Sequence, residues 1–459
     1  MRLNVLKLID YDEQPRTHEG APAAVLTAEQ MLRRSVLGCL LWEREFYEDG
    51  AEVAGRIRAL VPQVPAASVA ALAVEARERM KLRHVPLLLV REMARYASHR
   101  ALVAETLVRV IQRADELAEF LAIYWAEGKR PLSGQVKKGL AAAFVKFDEY
   151  ALAKYDRAGS VRLRDVLFLS HAKPVDAAQA ELWKRLAAGE LQTPDTWEVA
   201  LSAAGLANPV IKGPSKREVW ERLLAERRLG ALALLRNLRN LQKEGVREEL
   251  VLGAVAAMKT ERVLPFRFLA AARHAPQWEE ALEVAMFRSL DGRASLLGHT
   301  VLLVDVSGSM TWQLSARSEM KRTDAAFGLA ILLREIAEKV TIYTFSDTAK
   351  RAPARRGLAL RDALAQNQPN GGTYLGAALT QVEAEVARES GAYDRLVVIT
   401  DEQAHDAVPG PRGPIGSRGY MINVASNRNG VGYDKWTHID GFSEAVVDYI
   451  VELERAAVQ

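Results

Sequence analysis

The sequence predicts an α + α/β chain, with an all-helical part over residues 1–295 and a doubly wound α/β domain over residues 296–459. Three observations predict it. From about Glu29 to Leu290 the chain is rich in Ala, Leu and Arg, and apolar residues recur every three and four positions. After about Leu296 short aliphatic runs alternate with helical stretches, a pattern of parallel strands covered on both faces. The two parts also differ in charge: residues 299–459 hold 17 basic and 20 acidic side chains, leaving 45 basic and 38 acidic for residues 1–298.

In the first part, residues 102–125 show the helical stripe, with Leu and Ile on one face and Glu105, Arg109, Arg113 and Glu116 on another. Breakers at 128–134, 156–160, 172–176, 192–196 and 212–216 divide the run into helices joined by short turns. No strict period recurs, so stacked hairpins here would form an irregular solenoid. In the second part, strands are expected at 300–306, 340–345, 395–400 and 420–425, and helices near 324–338, 374–388 and 441–455. Ligands in such a fold bind at the carboxyl ends of the strands.

The bulk numbers narrow the function classes. The 49% hydrophobic and 26% charged content is that of a folded protein. A single cysteine, Cys39, excludes an internal disulfide and fits a reducing compartment. No stretch approaches a membrane-spanning run, and Met1 to Asp10 lacks a signal-peptide layout, so a cytoplasmic protein is expected. Basic residues concentrate in two places: residues 129–173, with ten against four acidic, and residues 212–243, with nine against three. Such segregation points to a polyanion, RNA or DNA first, with solvated helix faces as the alternative.

At the expected strand ends or helix starts, "DVSGS" (305–309), "NGGTYLG" (370–376) and "TDEQ" (400–403) supply Asp305, Ser307, Ser309, Thr373 and Asp401. All five offer hard oxygens and none is an imidazole or thiolate, which suits one divalent cation, Mg²⁺ or Mn²⁺, and argues against zinc. An aspartyl phosphohydrolase would want a carboxylate where Ser307 stands, and a two-metal nuclease would want more carboxylates. Glu402 is expected to point away. No Walker loop, H-E-x-x-H or G-x-S-x-G occurs, so no enzyme is expected.

In the first basic stretch, Lys137 and Lys138 begin a helix with Leu140, Phe144 and Phe147 on its apolar side, and Lys154 stands at the end of the next. Arg157, Arg162, Arg164, His171 and Lys173 follow. Cations at successive helix ends can track a phosphate backbone, and His171 and Tyr155 can stack on a splayed base. Tyr150 and Phe168 are expected in the core. In the second stretch, Lys212, Lys216, Arg217, Arg227 and Arg228 form a patch, with Trp220 expected in the core.

The DxSxS, Thr and Asp set in an α/β frame resembles the metal-ion-dependent adhesion site of von Willebrand factor A-like domains, whose open coordination position takes an acidic group of a partner. The segments 129–155 and 162–174 resemble the signature region of the TROVE module of the Ro autoantigen family, and 264–273, 420–433 and 436–450 resemble its later blocks. The resemblance implies a ring of irregular HEAT-like helical repeats closed by the A-like domain, monomeric because the ring closes within one chain. It implies noncatalytic binding of a small noncoding Y-type RNA on a basic outer surface and capture of the ends of misfolded or immature structured RNA in a central hole. Such work serves RNA quality control, maturation or decay, alongside an exoribonuclease such as polynucleotide phosphorylase. Lys154 and His171 fall where the family contacts Y RNA. Arg157 lies one position from a third such site, where this chain has Ala158. The competing reading is a metal-dependent scaffold that grips an acidic protein and has no RNA function.

Overall fold

The three-and-four apolar spacing resolves into short helices, several of them begun by a polar cap. The computed structural model describes residues 14–37, 50–205, 214–261, 263, 265–314, 319–389, 391–413, 417–425, 427–433, 435–441 and 445–456, so Met1 to Asp10, Cys39 and Lys212 lie outside the described residues. The first helices are α1 (Ala28–Leu37), α2 (Gly50–Leu60), α3 (Ala66–Glu78), α4 (His84–Met93), α5 (Arg100–Val110), α6 (Asp115–Tyr124), α7 (Gly134–Phe144), α8 (Glu149–Tyr155) and α9 (Leu163–Ser170). There follow α10 (Ala177–Ala188), α11 (Trp197–Gly205), α12 (Lys216–Ala225), α13 (Ala231–Lys243), α14 (Glu248–Ala257), α15 (Pro265–His274) and α16 (Glu279–Arg288). Side-chain oxygens satisfy amides at several helix starts: Ser133 accepts from Val136 N at 3.3 Å, Asp148 from Ala151 N at 2.8 Å, and Asp176 from Gln179 N at 2.7 Å.

Helices pack on the helix two further along: α5 on α7, α7 on α9, α12 on α14, and α14 on α16. This is the contact pattern of stacked helical hairpins. At the α5–α7 crossing a Cβ on Gly139 would sit 3.0 Å from the Ala104 backbone, so glycine permits the close approach. One apolar core runs from Leu32 to Leu186. A second begins at Val219 and continues without a break into the sheet, so packing crosses the junction near residue 295.

The sheet has strands β1 (Leu296–Asp305), β2 (Ala337–Phe345), β3 (Ala349–Arg351), β4 (Arg395–Thr400), β5 (Arg418–Asn423) and β6 (Thr437–Asp440), in the order β3-β2-β1-β4-β5-β6. All neighbours are parallel except β2 and β3. The short antiparallel β3 edge, β6 and helix α18 (Gly357–Gln366) are additions to the expected pattern. Helices α17 (Arg322–Ile336) and α19 (Leu375–Glu389) cover opposite faces, and α20 (Ala445–Ala456) ends the described chain. The strand order reverses between β1 and β4, which opens a crevice at their carboxyl ends.

The helical part meets the α/β domain at both of its ends. On one side α15 packs against α17 and α16 against α18. On the other, Thr17 Oγ1 donates to Ala404 O at 2.7 Å, Ala24 N to Gly430 O at 2.9 Å, and α1 contacts β6. The helical arc is thereby closed by the sheet domain. Among the described residues no helix is long and apolar enough to cross a membrane.

Candidate nucleic-acid interface and metal centre

Most arginines of the first helices are spent on structure. Arg33 pairs with Glu75, Arg77 with Glu116, Arg95 with Glu127, Arg109 with Glu78, and Arg185 with Glu149. The stretch from α7 to the turn after α9 differs. Lys137, Lys138, Lys154, Arg157, Arg162, Arg164, His171 and Lys173 are all half-buried or exposed, and none forms an ion pair with a carboxylate among the described residues. Lys146 is the exception within the stretch: its Nζ donates to Val108 O at 2.6 Å and to Ile111 O, capping α5, and burial lowers its pKa.

The structure brings Lys137 Nζ to 3.5 Å from His171 Nε2, because α7 and α9 pack side by side. His171 takes a left-handed backbone, φ 54°, as the C-cap of α9, which turns the chain toward Lys173. Arg162 and Arg164 stand at the first turn of α9 facing Asp156, whose pKa is raised by burial against their pull. Lys154 Nζ lies 5.8 Å from the ring centres of both Tyr150 and Tyr155. Lys138, Arg157 and Lys173 are exposed separately around this surface.

Two expectations are corrected here. Tyr150 is 50% exposed and Phe168 is 64% exposed, so neither is core. Both occupy the outward face of helices whose inward face is filled by Leu152, Leu163, Val166 and Leu167. The single missed signal was helical phase: Phe168 is next to Leu167 and falls about 100° round the helix from it. In the second basic stretch Arg217 pairs with Glu221 at 3.1 Å, and Arg228 pairs with Asp195 and Glu226. Trp220 is buried, stacked 5.9 Å from Trp197.

The oxygen cluster forms at the β1–β4 crevice. Asp305 ends β1 and Asp401 follows β4, both fully buried. Gly308 N donates to Gly371 O at 2.9 Å, which fastens the DVSGS loop to the loop carrying Thr373. Ser307 Oγ and Ser309 Oγ are 3.3 Å apart. Adjacent ligands of a six-coordinate Mg²⁺ stand about 3 Å apart. Asp305 accepts from Ser307 N at 2.8 Å and from Thr400 Oγ1 at 2.6 Å. Burial and the nearby Asp401 charge push its pKa up to about 7. Arg322 Nη1 donates to Asp401 Oδ2 at 3.0 Å. The donor set holds two buried carboxylates and is rich in hard oxygen, and a divalent cation would fit it. Among the described residues no group of three or more His, Cys, Asp or Glu side chains is arranged so that it could hold a metal ion.

Glu402 does turn away from this cluster. Its backbone has φ 63°, and its carboxylate meets Arg34 Nη1 at 2.7 Å and His438 Nδ1 at 2.8 Å. Neither partner was foreseen, since they come from α1 and β6.

Residues 300–403 match the von Willebrand factor type A domain family, a span that includes all five oxygen donors, and residues 175–323 match the TROVE domain family. The crystal structure of the Deinococcus radiodurans RO (RSR) protein superposes with a TM-score of 0.63 at 21% identity, over 94% of this chain and 100% of that one. The chain shares the fold of that RO protein. Mouse telomerase protein component 1 is 38% identical to this chain over 96 residues, which are 19% of this chain and 3% of the mouse protein. The TROVE match begins at residue 175, immediately after the unpaired basic surface, and takes in α12, α13 and α15.

Proposed function

We propose that this chain is a Ro-like, noncatalytic RNA-binding protein, with structured small noncoding RNA of the Y type held on the α7–α9 surface. One observation carries the reading. Eight cationic or titratable side chains lie on one stretch with no ion pair to a carboxylate among the described residues, beside exposed Tyr150 and Phe168, in a helical part where many other arginines are paired. Unpaired cations bind phosphates, and exposed aromatics stack on unpaired bases. Ends of misfolded or immature RNA would be a second substrate class, in keeping with the closed helical arc.

The test is fluorescence anisotropy with a stem-loop RNA over a salt series. Wild-type affinity is expected to fall steeply with salt, and combined Lys154→Ala and His171→Ala to weaken it well beyond a control such as Lys184→Ala. A purified protein that shifts no structured RNA, or a double variant with unchanged affinity, overturns the reading.

The oxygen cluster takes a supporting role in this proposal. Asp305, Ser307, Ser309, Thr373 and Asp401 would hold one Mg²⁺ or Mn²⁺, which supplies an electrophilic position for an acidic group. A second reading, a metal-dependent grip on an acidic protein, is favoured by the rim. Trp312 and Tyr374 are 51% and 41% exposed and follow the DVSGS loop and Thr373 closely in sequence.

A further inference from the structure

Residues 16–22 form a tight turn that carries its own hydrogen bonds. Thr17 N donates to Ala21 O at 2.9 Å, Ala21 N to Thr17 Oγ1 at 3.0 Å, and Arg16 Nη1 to Gly20 O at 2.7 Å. The turn sits on the loop that follows β4, where three consecutive residues meet three others. Thr17 Oγ1 donates to Ala404 O at 2.7 Å, His18 N donates to Gln403 Oε1 at 2.7 Å, and Glu19 Oε2 lies 3.1 Å from His405 Nε2. Two of these contacts continue to the oxygen donors of the crevice. His405 Nδ1 accepts from Thr373 N at 3.0 Å, and His405 N donates back to Thr373 O at 2.8 Å. Tyr374, the next residue, stacks on the His405 ring with centres 5.2 Å apart. Gln403 N donates to Asp401 Oδ1 at 3.4 Å, and Gln403 Nε2 to Asp401 O at 3.2 Å. A backbone N–H only donates, so His405 Nδ1 carries no proton and the ring proton stands on Nε2, directed at Glu19.

We propose that Glu19 and His405 are positioning residues for the divalent cation, so that seating the 16–22 turn and filling the crevice are coupled. The inference rests on reading Asp305, Ser307, Ser309, Thr373 and Asp401 as the ligands of one ion. Thr373 stands before α19 and Asp401 after β4, so their separation is set by contacts between loops. The chain Glu19–His405–Thr373 and the chain His18–Gln403–Asp401 tie both donors to one turn. The carboxylate on Nε2 keeps the imidazole in the tautomer whose Nδ1 receives Thr373 N. Outer partners of this kind orient ligands in metal sites. Without the turn, both donors have to be ordered as the ion binds, and that ordering lowers affinity. The coupling is reciprocal, so the ion in turn holds residues 16–22 in place. The same segment ties the helical arc to the sheet domain, through Ala24 N to Gly430 O and through Asn429 Nδ2 to Arg16 O at 2.8 Å. Cation occupancy and closure of the arc therefore favour one another.

The test is Mn²⁺ binding by the full-length protein, followed by electron paramagnetic resonance with Mg²⁺ as competitor. Wild type is expected to bind Mn²⁺ in a site that Asp305→Asn loses. Glu19→Ala should weaken that binding about tenfold. Glu19→Gln, whose side-chain carbonyl still accepts from Nε2, should recover most of the loss. Glu19 is 32% exposed, so both variants should keep the wild-type thermal midpoint in the absence of cation. Hydrogen exchange gives the reciprocal readout without any change at Glu19: Mg²⁺ should slow exchange in residues 14–24 of wild type and leave it unchanged in Asp305→Asn. Equal Mn²⁺ affinity in wild type and Glu19→Ala overturns the positioning role and leaves the five-donor site standing. A loss in Glu19→Gln as large as in Glu19→Ala overturns it as well, since charge rather than the hydrogen bond would then be at work. Exchange in residues 14–24 that ignores the cation overturns the coupling. Failure of wild type to bind Mn²⁺, or Mn²⁺ retained by Asp305→Asn, overturns the five-donor reading and this inference with it.

Discussion

Arg34 donates to Glu402 Oε2 at 2.7 Å, although the two stand 368 residues apart and are 1% and 0% exposed. The guanidinium also donates to Asn427 O at 2.7 Å and Asn429 O at 3.3 Å. One side chain of α1 thus fastens the start of the helical arc to the sheet domain. Removing it leaves Glu402 buried without its principal counter-charge. Arg34→Met is expected to cost about 3–5 kcal/mol, the usual result of breaking a buried pair. Urea unfolding gives the energy, and hydrogen exchange should show the loss of protection centred on residues 14–37. A variant within about 0.5 kcal/mol of wild type would remove α1 from ring closure.

His438 sits between two acids, with Nδ1 at 2.8 Å from Glu402 and Nε2 at 2.9 Å from Asp440, and Tyr433 stacked on its ring at 3.8 Å. Nε2 is hydrogen-bonded to Asp440, Nδ1 is only at ion-pair distance from Glu402, and two carboxylates this close favour the ring that carries both protons. Burial alone would lower the histidine pKa, but Asp440 and Glu402 outweigh it and hold it at about 9. Burial likewise opposes both carboxylates, yet Arg34 and His438 keep each below its ordinary range. A raised histidine stabilises in full below its unfolded value of 6.5, and that contribution disappears as pH rises through about 9. The carboxylates contribute above their unfolded values and lose that contribution on acidification. Unfolding free energy should therefore decline between pH 6.5 and 9, and less so in His438→Gln. Parallel urea titrations measure both, and equal declines would rule out His438 as the cause.

Phe168 stands 64% exposed on α9, beside Arg164 and three residues before His171. An exposed phenyl ring in a basic surface is a stacking platform for an unpaired base, worth about 1–3 kcal/mol on truncation. Phe168→Ala should weaken stem-loop binding by about tenfold without lowering thermal stability, since the ring buries little area. Loss of stability with unchanged affinity would return Phe168 to a packing role.

Asp305 and Asp401 repel each other in a buried crevice, where Arg322 pairs with Asp401. A bound divalent cation relieves that repulsion, so Mg²⁺ should raise the thermal midpoint of the wild-type protein. Asp305→Asn keeps acceptor geometry toward Ser307 N while removing the charge, and should abolish the Mg²⁺ response. RNA affinity should stay near wild type, because the crevice and the α7–α9 surface belong to different cores. A Mg²⁺ response that survives the substitution would place the ion elsewhere, and a collapse of RNA affinity would tie the two sites together.

The sequence by itself determined what local spacing encodes. The helical stripes, the change of texture near Leu296 and the run of basic residues from Lys137 to Lys173 were legible, as were the oxygen-bearing side chains of the three loops, because each depends on residues within one or two turns or on one strand and its loop. Trp220 was placed correctly for the same reason. Tertiary structure alone decided what long-range packing sets. It turned Tyr150 and Phe168 outward, neutralised Arg217 and Arg228 against acids, and set Glu19 beside His405. It also joined Arg34 to Glu402 across nearly the whole chain. A one-dimensional pattern records which side chains carry charge, but their freedom to bind a ligand depends on which counter-charges the fold brings within about 4 Å, and that distance is not written in the spacing.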